Sequence, residues 1–357
     1  GYQILYMDRV PDSAAVDEAV KTVKRKKRQR AAGLVNAVLR RMSREKGSLP
    51  ALPAEDRAAY LSLRYSHPRW LAERFLELLG GEEAEALLRA NNGSVPTVIQ
   101  RNPLKCTAEE LHARLEESGA ALAPHPWMPD CCLLSGGGEL EAMPAFREGL
   151  FQVQDAAAKA AVLAAGPRPG TRMLDVCAAP GGKSFAAAME MENRGEIVAC
   201  DIHRHKLELI EKGAARLGAS CVRTELADGR QERPEWLEGF DLVLCDVPCS
   251  GLGIIRKKPD IRYKDPAALA GLPAVQGAIL ANASRYVRPG GVLLYATCTL
   301  LPEENRGVTE VFLEERRAFQ KEPFSLPGLG EAADGELTLW PQRHGTDGFY
   351  ICKMRKL

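Results

Sequence analysis

"RMLDVCAAPGGKS", Arg172–Ser184, decides the fold of this chain. An apolar run ends at Asp175, a turn with two glycines follows, and an alanine-rich helical pattern begins. Further apolar runs alternate with helical patterns downstream: "EIVACDIH" (Glu196–His203), "FDLVLCDVPCSG" (Phe240–Gly251), "GGVLLYATCTL" (Gly290–Leu300) and "GFYICKMRK" (Gly348–Lys356). Apolar strands separated by helices are typical of a doubly wound, mostly parallel α/β sheet. The sequence therefore predicts a Rossmann-like α/β domain over residues 149–357.

Polar and reactive side chains stand at the ends of these predicted strands. Asp201 and Asp246 each end an apolar run, Cys298 follows another, and Cys249 lies three positions after Asp246. In an open α/β sheet, ligands bind beyond the carboxyl ends of the strands. We therefore expect these side chains to share one site.

The glycine turn predicts where a cofactor binds. Gly181 and Gly182 allow the backbone to approach a ligand closely, and the amino end of the following helix favours negative charge. The spacing is neither GxGxxG nor GxxxxGK, so neither of these phosphate-binding loops is indicated. We assign the whole turn to cofactor binding: Cys177, Ala178, Ala179, Pro180, Gly181, Gly182 and Lys183.

Three aspartates complete the predicted cofactor site. Asp201 ends the second strand, where a carboxylate accepts hydrogen bonds from both ribose hydroxyls of a nucleoside. Asp228, in "ELADGR", is placed to reach the adenine edge, and Asp246 ends a further strand. The structural alternatives are a helix cap for Asp201 and a turn aspartate for Asp228. Together these features predict an adenosine-containing ligand without a diphosphate, S-adenosylmethionine.

The composition limits the class of protein. The chain has 357 residues, of which 45% are hydrophobic and 27% charged, and a net charge of +1, as expected for a globular protein of two or three domains. We find no run of about eighteen uncharged apolar residues and no signal-peptide pattern in "GYQILYMDRV", and expect a cytoplasmic protein without a membrane span. The ten cysteines do not form paired CxxC motifs, so we expect free thiols and no metal site.

Two smaller regions precede the α/β domain. Residues 1–66 predict helices, including an amphipathic one whose apolar stripe is Ala31, Leu34, Val35, Val38, Leu39 and Met42. Residues 67–148 mix a helix in "TAEELHARLEES", with a capping box from Thr107 to Glu110, and strands in "PTVIQRN" and "DCCLLSG". This mixture predicts a small α+β module.

Three motifs, in this order, resemble those of the RNA 5-methylcytosine methyltransferases: "VCAAPGGKS", "DVPCSG" and "YATCTL". The resemblance runs from about "FQVQD" to the end of the chain, including "GTDGFY", and is extended upstream by "RQRAAGLVNAVLRR" and "SHPRWLAERF". It implies a class I methyltransferase domain using S-adenosylmethionine, preceded by the α+β module and by a partial NusB-like RNA-binding segment in residues 1–66. The implied target is the cytosine at position 967 of 16S small-subunit ribosomal RNA, in conventional rRNA numbering.

The chemistry of this family requires one cysteine and leaves the second to be explained. Carbon 5 of cytosine is a poor nucleophile until a thiolate adds to carbon 6 and converts the ring into an enamine. The resemblance implies that Cys298 is this nucleophile and that Cys249 assists product release. The residues alone leave the order open, because DNA cytosine methyltransferases use the cysteine of a Pro-Cys pair, which is Cys249 here. We expect Asp246 to hydrogen-bond the ring near N3 and its amino group. Lys183 supports a thiolate by its charge, orients the cofactor or simply covers the helix.

Two basic stretches predict RNA contacts. Lys21–Arg30 and the segment "IIRKKPDIRYK", Ile254–Lys264, carry clustered lysines and arginines suited to phosphates, although solvated basic surfaces are the alternative for both. The target base must be flipped or unpaired to be reached.

Other functions compete with this interpretation. The same chemistry on transfer RNA or another RNA is the nearest alternative. A non-catalytic NusB-like RNA-binding or antitermination factor would not need the set Asp201, Asp246, Cys249 and Cys298. A small-molecule methyltransferase needs neither two cysteines nor basic flanks. The sequence does not determine the oligomeric state, and a monomer is our expectation.

Overall fold

The structure is a computed structural model that describes residues 1–48, 51–53 and 55–357. These residues form two compact units, 1–64 and 65–357. The first unit is helical, with α1 (Tyr2–Tyr6), α2 (Asp12–Arg25), α3 (Ala32–Glu45) and α4 (Arg57–Tyr65), the last of which ends on the first residue of the second unit.

The core of the first unit is narrower than the apolar stripe predicted for α3. Ile4, Val16 and Leu39 are buried together, and Val35 packs against them. Leu34 is 68% exposed and Val38 48% exposed, so including them in the buried stripe was wrong. Successive residues of a helix are rotated by about 100° from one another, so these two side chains lie on a flank of α3 beside the buried face.

The second unit begins with two helices and a four-stranded antiparallel sheet. The helices are α5 (Arg69–Leu79) and α6 (Gly81–Ala90), and the sheet has the strand order β2-β3-β1-β4. In chain order its elements are β1 (Thr97–Arg101), α7 (Ala108–Glu116), β2 (Ala120–Pro124), β3 (Cys131–Gly136), α8 (Pro144–Arg147) and β4 (Phe151–Val153). The predicted capping box at the start of α7 is present, with hydrogen bonds in both directions between Thr107 and Glu110.

The rest of the second unit contains an eight-stranded sheet. Its strand order is β7-β6-β5-β8-β9-β14-β10, with β13 also paired to β14. The five strands from β7 to β9 are parallel, and β14 runs antiparallel to β9. The predicted Rossmann-like, mostly parallel sheet is therefore confirmed. The elements of this part of the chain are α9 (Ala156–Ala165), β5 (Arg172–Asp175), α10 (Gly182–Glu190), β6 (Glu196–Asp201), α11 (Arg204–Leu217), β7 (Val222–Leu226), β8 (Phe240–Asp246), α12 (Pro266–Leu269), α13 (Leu272–Ala283), β9 (Val287–Thr297), α14 (Arg306–Glu315), β10 (Phe319–Lys321), β11 (Phe324–Leu326), β12 (Gly330–Ala332), β13 (Glu336–Leu339), α15 (Pro341–His344) and β14 (Phe349–Lys356). Of these, β11 and β12 form a separate two-stranded antiparallel sheet.

The central strands are apolar over most of their length because helices cover both faces of the sheet. Successive strand side chains point to opposite faces. Leu293 packs into the core formed with α13 and α14, whereas Leu294 packs into the core formed with α9, α10 and α11. Both leucines are fully buried. This explains why β8 and β9 read as continuous apolar runs rather than as alternating patterns.

One segment corrects the expectation about long apolar stretches. Pro266–Tyr286, which comprises α12, α13 and the turn after them, is long and apolar enough to cross a membrane by length and composition alone. Core helices of globular proteins have the same length and composition. In this helix, Gln276 donates to Pro248 O and Asn282 donates to Gly229 O. These contacts are those of a helix packed against the sheet.

A close backbone crossing joins the segment after β8 to the start of β14. The Gly253 amide donates to Cys298 O at 2.9 Å, and the Gly348 amide donates to Gly253 O at 2.8 Å. A Cβ atom on Gly253 would lie 2.0 Å from the carbonyl oxygen of Gly348. Only glycine fits at this crossing without displacement of the backbone.

We expect Gly253→Ala to lower the free energy of unfolding by about 2–4 kcal/mol, because the new methyl group must push two backbone segments apart. Urea unfolding followed by circular dichroism measures the change. Gly271→Ala is the matched control, since no atom of the described chain lies within 4 Å of its added Cβ. Equal unfolding midpoints for the two variants would contradict the close crossing.

Candidate active site

A cavity of 340 Å³ opens at the carboxyl ends of the parallel strands. Its walls come from the turn after β5, from Asp246 at the end of β8, from Cys298 just after β9, and from Asp347 and Phe349 at the start of β14. The structure thus brings the predicted turn, Asp246 and Cys298 into one site. Asp201 and Asp228 lie beyond the cavity wall, at the end of β6 and two residues after β7.

Local geometry explains the sequence of the turn after β5. The Ala178 amide donates to Cys200 O on β6, and the Gly181 amide donates back to Ala178 O, each at 2.7 Å. Gly181 has φ +105°, and a Cβ there would lie 2.4 Å from the Phe185 ring. The helix α10 begins at Gly182, so its first backbone amides lie at the cavity edge.

Asp201 and Asp228 have different surroundings. Asp201 Oδ1 accepts from the His203 amide at 2.9 Å, while Oδ2 lies 3.5 Å from Lys206 Nζ, so this nearly buried carboxylate keeps accepting capacity. Asp228 is paired with Arg230, and this hydrogen bond lowers the pKa of its carboxyl group. Asp201 does not cap a helix, because the N-cap residue of α11 is His203 and no side chain caps that helix.

Asp175 is a site residue that the sequence analysis did not assign. It ends β5 at the cavity wall, is 1% exposed, and accepts a hydrogen bond from Ser184 on Oδ2. Oδ1 has no hydrogen-bond partner among the described residues. Burial raises the pKa of Asp175 to about 7. The position of Asp175 at a strand end was the signal that could have found it, by the same rule that selected Asp201.

Lys183 and Asp246 form an ion pair inside the cavity. Lys183 Nζ contacts Asp246 Oδ2 and lies 5.1 Å from the centre of the Phe349 ring. Burial opposes the charged form of Lys183, but the neighbouring Asp246 outweighs it and raises the pKa of the ammonium group. The lysine therefore stays positively charged at neutral pH.

The two candidate cysteines meet at the ends of neighbouring strands. Cys249 Sγ lies 3.3 Å from Cys298 Sγ, within hydrogen-bonding distance. The parallel pairing of β8 and β9 places Asp246 beside Ala296, which brings the residues after both strands together. Cys298 lines the cavity, whereas Cys249 is not part of its lining.

Electrostatics distinguish the two thiols. The hydrogen bond with Cys249 lowers the pKa of Cys298, against burial and Asp246, and the Lys183 charge acts in the same direction. The same hydrogen bond raises the pKa of Cys249, as do burial and the nearby carboxylates of Asp246 and Glu304. The arrangement favours a thiolate on Cys298 that accepts a hydrogen bond from the Cys249 thiol.

A buried cluster of four charges forms another wall of the cavity. Arg256 contacts Asp155 at 3.3 Å and Asp347 at 3.1 Å, and Lys257 contacts the same carboxylates at 2.7 and 2.6 Å. The side chain of Arg256 is 7% exposed. The sequence analysis missed this cluster, although "FQVQD" and "GTDGFY" contain its two aspartates.

The prediction that "IIRKKPDIRYK" presents a basic surface to RNA was wrong for its arginines. Arg256 is neutralised inside the cluster, and Arg262 is buried, donating to Ser66 O and Asn92 Oδ1. Lys264 donates to Ser250 O. Arg256 is therefore paired with acids elsewhere in the fold, whereas uncharged oxygens accept from Arg262 and Lys264, and a local charge count sees neither kind of partner. In the other stretch, Lys21 pairs with Asp17 at 2.6 Å, and RNA binding there stays a prediction.

All ten cysteines are free thiols. Within residues 1–48, 51–53 and 55–357, no group of three or more histidine, cysteine, aspartate or glutamate side chains is arranged to hold a metal ion.

Comparisons with known proteins match the whole length of the chain. The family described as 16S rRNA methyltransferase RsmB/F matches residues 161–355, a ferredoxin-like domain of RsmF/B-like methyltransferases matches 67–141, and the NusB family matches 1–44. The predicted domain boundaries at 66/67 and 148/149 are not tested by these matches and stay predictions.

Three relatives illustrate the similarity. Probable ribosomal RNA small subunit methyltransferase B of Bacillus subtilis is 35% identical, over 99% of this chain and 80% of that protein. Ribosomal RNA small subunit methyltransferase B of Klebsiella pneumoniae is 35% identical, with the same two coverages. The crystal structure of a methyltransferase homolog protein from Pyrococcus horikoshii superposes with a TM-score of 0.72 at 28% identity, over 83% of this chain and 98% of that one.

We expect iodoacetamide to alkylate Cys298 faster than Cys249 at neutral pH, because the thiolate is the reactive form. Lys183→Met should shift the pH dependence of Cys298 alkylation to higher pH, since loss of the ammonium group raises the pKa of the thiol. Peptide mass spectrometry of samples alkylated at a series of pH values measures the alkylation rates of Cys298 and Cys249. Lys212→Met, on the exposed side of α11, is the charge-matched control. Identical profiles for the two lysine variants would contradict the assigned influence of Lys183.

Proposed function

The chain belongs to the RsmB/F family of 16S rRNA methyltransferases, and from this membership we propose that it methylates carbon 5 of a cytosine in small-subunit ribosomal RNA through a covalent adduct with Cys298. It is an S-adenosylmethionine-dependent RNA methyltransferase. What we propose beyond this is that the base is cytosine, that carbon 5 is methylated and that Cys298 forms a covalent adduct.

The observation that carries the proposal is the Cys298 thiol at the wall of the cavity, with the Cys249 thiol 3.3 Å from it. A methyltransferase that modifies a nucleophilic oxygen or nitrogen needs no cysteine, whereas carbon 5 of cytosine needs a thiolate on carbon 6. Lys183 and the hydrogen bond from Cys249 favour that thiolate on Cys298. This supports, from electrostatics, the order of roles that the sequence left open.

The residues around the cavity fit the cofactor. The unpartnered, buried Oδ1 of Asp175 suits an ammonium group, and the turn Cys177–Lys183 with Asp246 forms the adjoining wall. We assign Asp201 to the ribose hydroxyls and Asp228 to the adenine edge. Bound S-adenosylmethionine supplies the electrophilic methyl group.

The reaction uses the two thiols in turn. The Cys298 thiolate adds to carbon 6, and the electron pair displaced to carbon 5 accepts the methyl group. Asp246 accepts a hydrogen bond from the amino group of the ring, and so orients the base. The proton on carbon 5 then passes to water, its electron pair forms the carbon 5–carbon 6 double bond, and the carbon–sulfur pair returns to Cys298. The hydrogen bond from Cys249 stabilises the departing thiolate.

The finer assignments follow from the resemblance and from the relatives' names. We propose the cytosine at position 967 of 16S ribosomal RNA as the target, flipped or unpaired to enter the cavity. A cytoplasmic, monomeric enzyme is part of this proposal. Transfer RNA is the alternative substrate, and methylation assays with separated RNAs distinguish the two.

We expect Asp201→Ala to weaken S-adenosylmethionine binding by about 1–3 kcal/mol, because the ribose hydroxyls lose a charged acceptor. Isothermal titration calorimetry measures the affinity. Lys206→Ala is the control, since it removes the partner of Asp201 at 3.5 Å and leaves the carboxylate. Unchanged affinity in a folded Asp201→Ala protein would leave Asp201 only its local hydrogen bond to the His203 amide.

The cysteine variants should fail at different steps. Cys298→Ala should give neither methylated RNA nor a covalent complex, because no thiolate adds to carbon 6. Cys249→Ala should still transfer methyl and then accumulate a protein–RNA complex that survives denaturing electrophoresis and requires S-adenosylmethionine. The double variant, as control, should give no complex. A stable adduct in Cys298→Ala and none in Cys249→Ala would reverse the two roles.

A further inference from the structure

The residues that follow and flank the two cysteines are buried and hydrogen-bonded to one another. Ser250, Thr297 and Thr299 are fully buried. Ser250 Oγ lies 2.6 Å from Thr299 Oγ1, so the residue after Cys249 is joined directly to the residue after Cys298. The thiol pair therefore rests on a second layer of polar contacts beneath it.

Glu304 is the carboxylate that accepts hydrogen bonds from this layer. It is 1% exposed, and its Oε2 accepts from the Ser250 amide and from Gln276 Nε2, both at 2.8 Å. Its Oε1 accepts from Thr299 Oγ1 at 3.3 Å. A carboxylate with three donors and no cation among its described partners is held by hydrogen bonds, which is the usual requirement for a buried charge.

The direction of the hydrogen bonds follows from the proton count. A threonine hydroxyl has one hydrogen, and that of Thr299 points to Glu304. The Ser250 hydroxyl must then donate to Thr299. A chain of donors thus runs from Ser250 through Thr299 to the carboxylate, and both cysteine-bearing segments are tied to one charge.

The two segments do not depend on Glu304 equally. The Cys298 segment has anchors on Asn305, which accepts from Thr297 Oγ1 at 2.5 Å and donates to Thr299 O at 3.0 Å. Two of the three donors to Glu304 hold the segment around Cys249 instead. One is the amide of Ser250, the next residue in the chain, and the other is Gln276, which also donates to Pro248 O at 3.0 Å. Loss of the carboxylate would leave the Ser250 amide and one of the two Gln276 Nε2 hydrogens buried and unpaired, with Cys298 still anchored.

We propose that Glu304 is a positioning residue for product release, because it holds Cys249 at hydrogen-bonding distance from Cys298. The inference rests on the proposed function, in which Cys249 acts at release. Glu304 does not touch the cavity that holds the reacting atoms and acts through Ser250 and Thr299. Its negative charge also adds to the hydrogen bond and the burial that raise the pKa of Cys249, and so keeps that side chain a thiol donor.

Glu304→Gln tests the proposal, because the amide keeps the shape, removes the negative charge and replaces one of the two acceptor oxygens by a donor. In the first turnover with a 16S RNA fragment, methyl transfer should stay within about threefold of the parent, whereas steady-state turnover should fall at least about tenfold. A covalent protein–RNA complex should accumulate on denaturing gels, as in Cys249→Ala. A merely structural role would lower both rates in proportion and would give no complex.

Glu303→Gln is the matched control, since it makes the same chemical change one residue earlier. The Glu303 side chain is 46% exposed and pairs with Arg74 at 2.7 Å, away from the thiols. Neither rate should change in this variant. Equal behaviour of the two glutamine variants would overturn the role of Glu304.

Thr299→Val keeps the proposal testable if Glu304→Gln does not fold. It removes the hydroxyl link at nearly constant shape, so the covalent complex should again accumulate, and Thr299→Ser should show less of it. Free release in Thr299→Val would overturn the proposal. Cys249→Ala, measured in parallel, distinguishes a failure of the role of Glu304 from a failure of the proposed function of Cys249. An adduct there with none in Glu304→Gln rejects the role of Glu304 alone, whereas no adduct in Cys249→Ala rejects the proposed function of Cys249.

Discussion

The parallel pairing of β8 with β9 is the constraint on which the site depends. Its register puts Asp246 beside Ala296, and the Val247 amide continues the ladder to Ala296 O at 3.1 Å. Residues 242–245 of β8 and 291–297 of β9 are buried, so a slip of one residue would turn apolar side chains into the wrong core. The same register that satisfies the cores therefore sets the thiols next to each other, and the packing of the sheet and the chemistry of the cavity have one cause.

Ion pairs between oppositely charged side chains shape the cavity around the two thiols. Lys183 is matched by Asp246, and the cluster of Arg256 and Lys257 by Asp155 and Asp347. Removing one partner of a buried pair leaves an uncompensated charge and is strongly destabilising, so these pairs hold the loops in one arrangement. The hydrogen bond between the thiols lowers the pKa of Cys298 and raises that of Cys249, and the Lys183 charge, acting through a low dielectric, adds to the effect on Cys298.

Much of the fold could be predicted because it is encoded locally. The apolar runs of β5, β6, β8 and β9 were found as strands, and the capping box at Thr107 was read directly from its spacing. The stripe on α3 was overestimated, because apolar periodicity identifies a helical face and does not say how much of it a neighbour covers. The arginines of "IIRKKPDIRYK" were misread for a similar reason: Asp155 lies about a hundred residues away in sequence and contacts Arg256 only in the folded chain.

The sequence by itself determined the alternating α/β order, the glycine turn and the presence of reactive groups at strand ends, because each depends on neighbours within a few residues. It also determined that Asp201, Asp246, Cys249 and Cys298 belong to one edge of a sheet. Only the tertiary structure decided the 3.3 Å contact of the thiols, the buried Glu304 beneath them and the unpartnered oxygen of Asp175. Those features arise where segments distant in the chain pack together, and the distances and burial that set their energies exist only there.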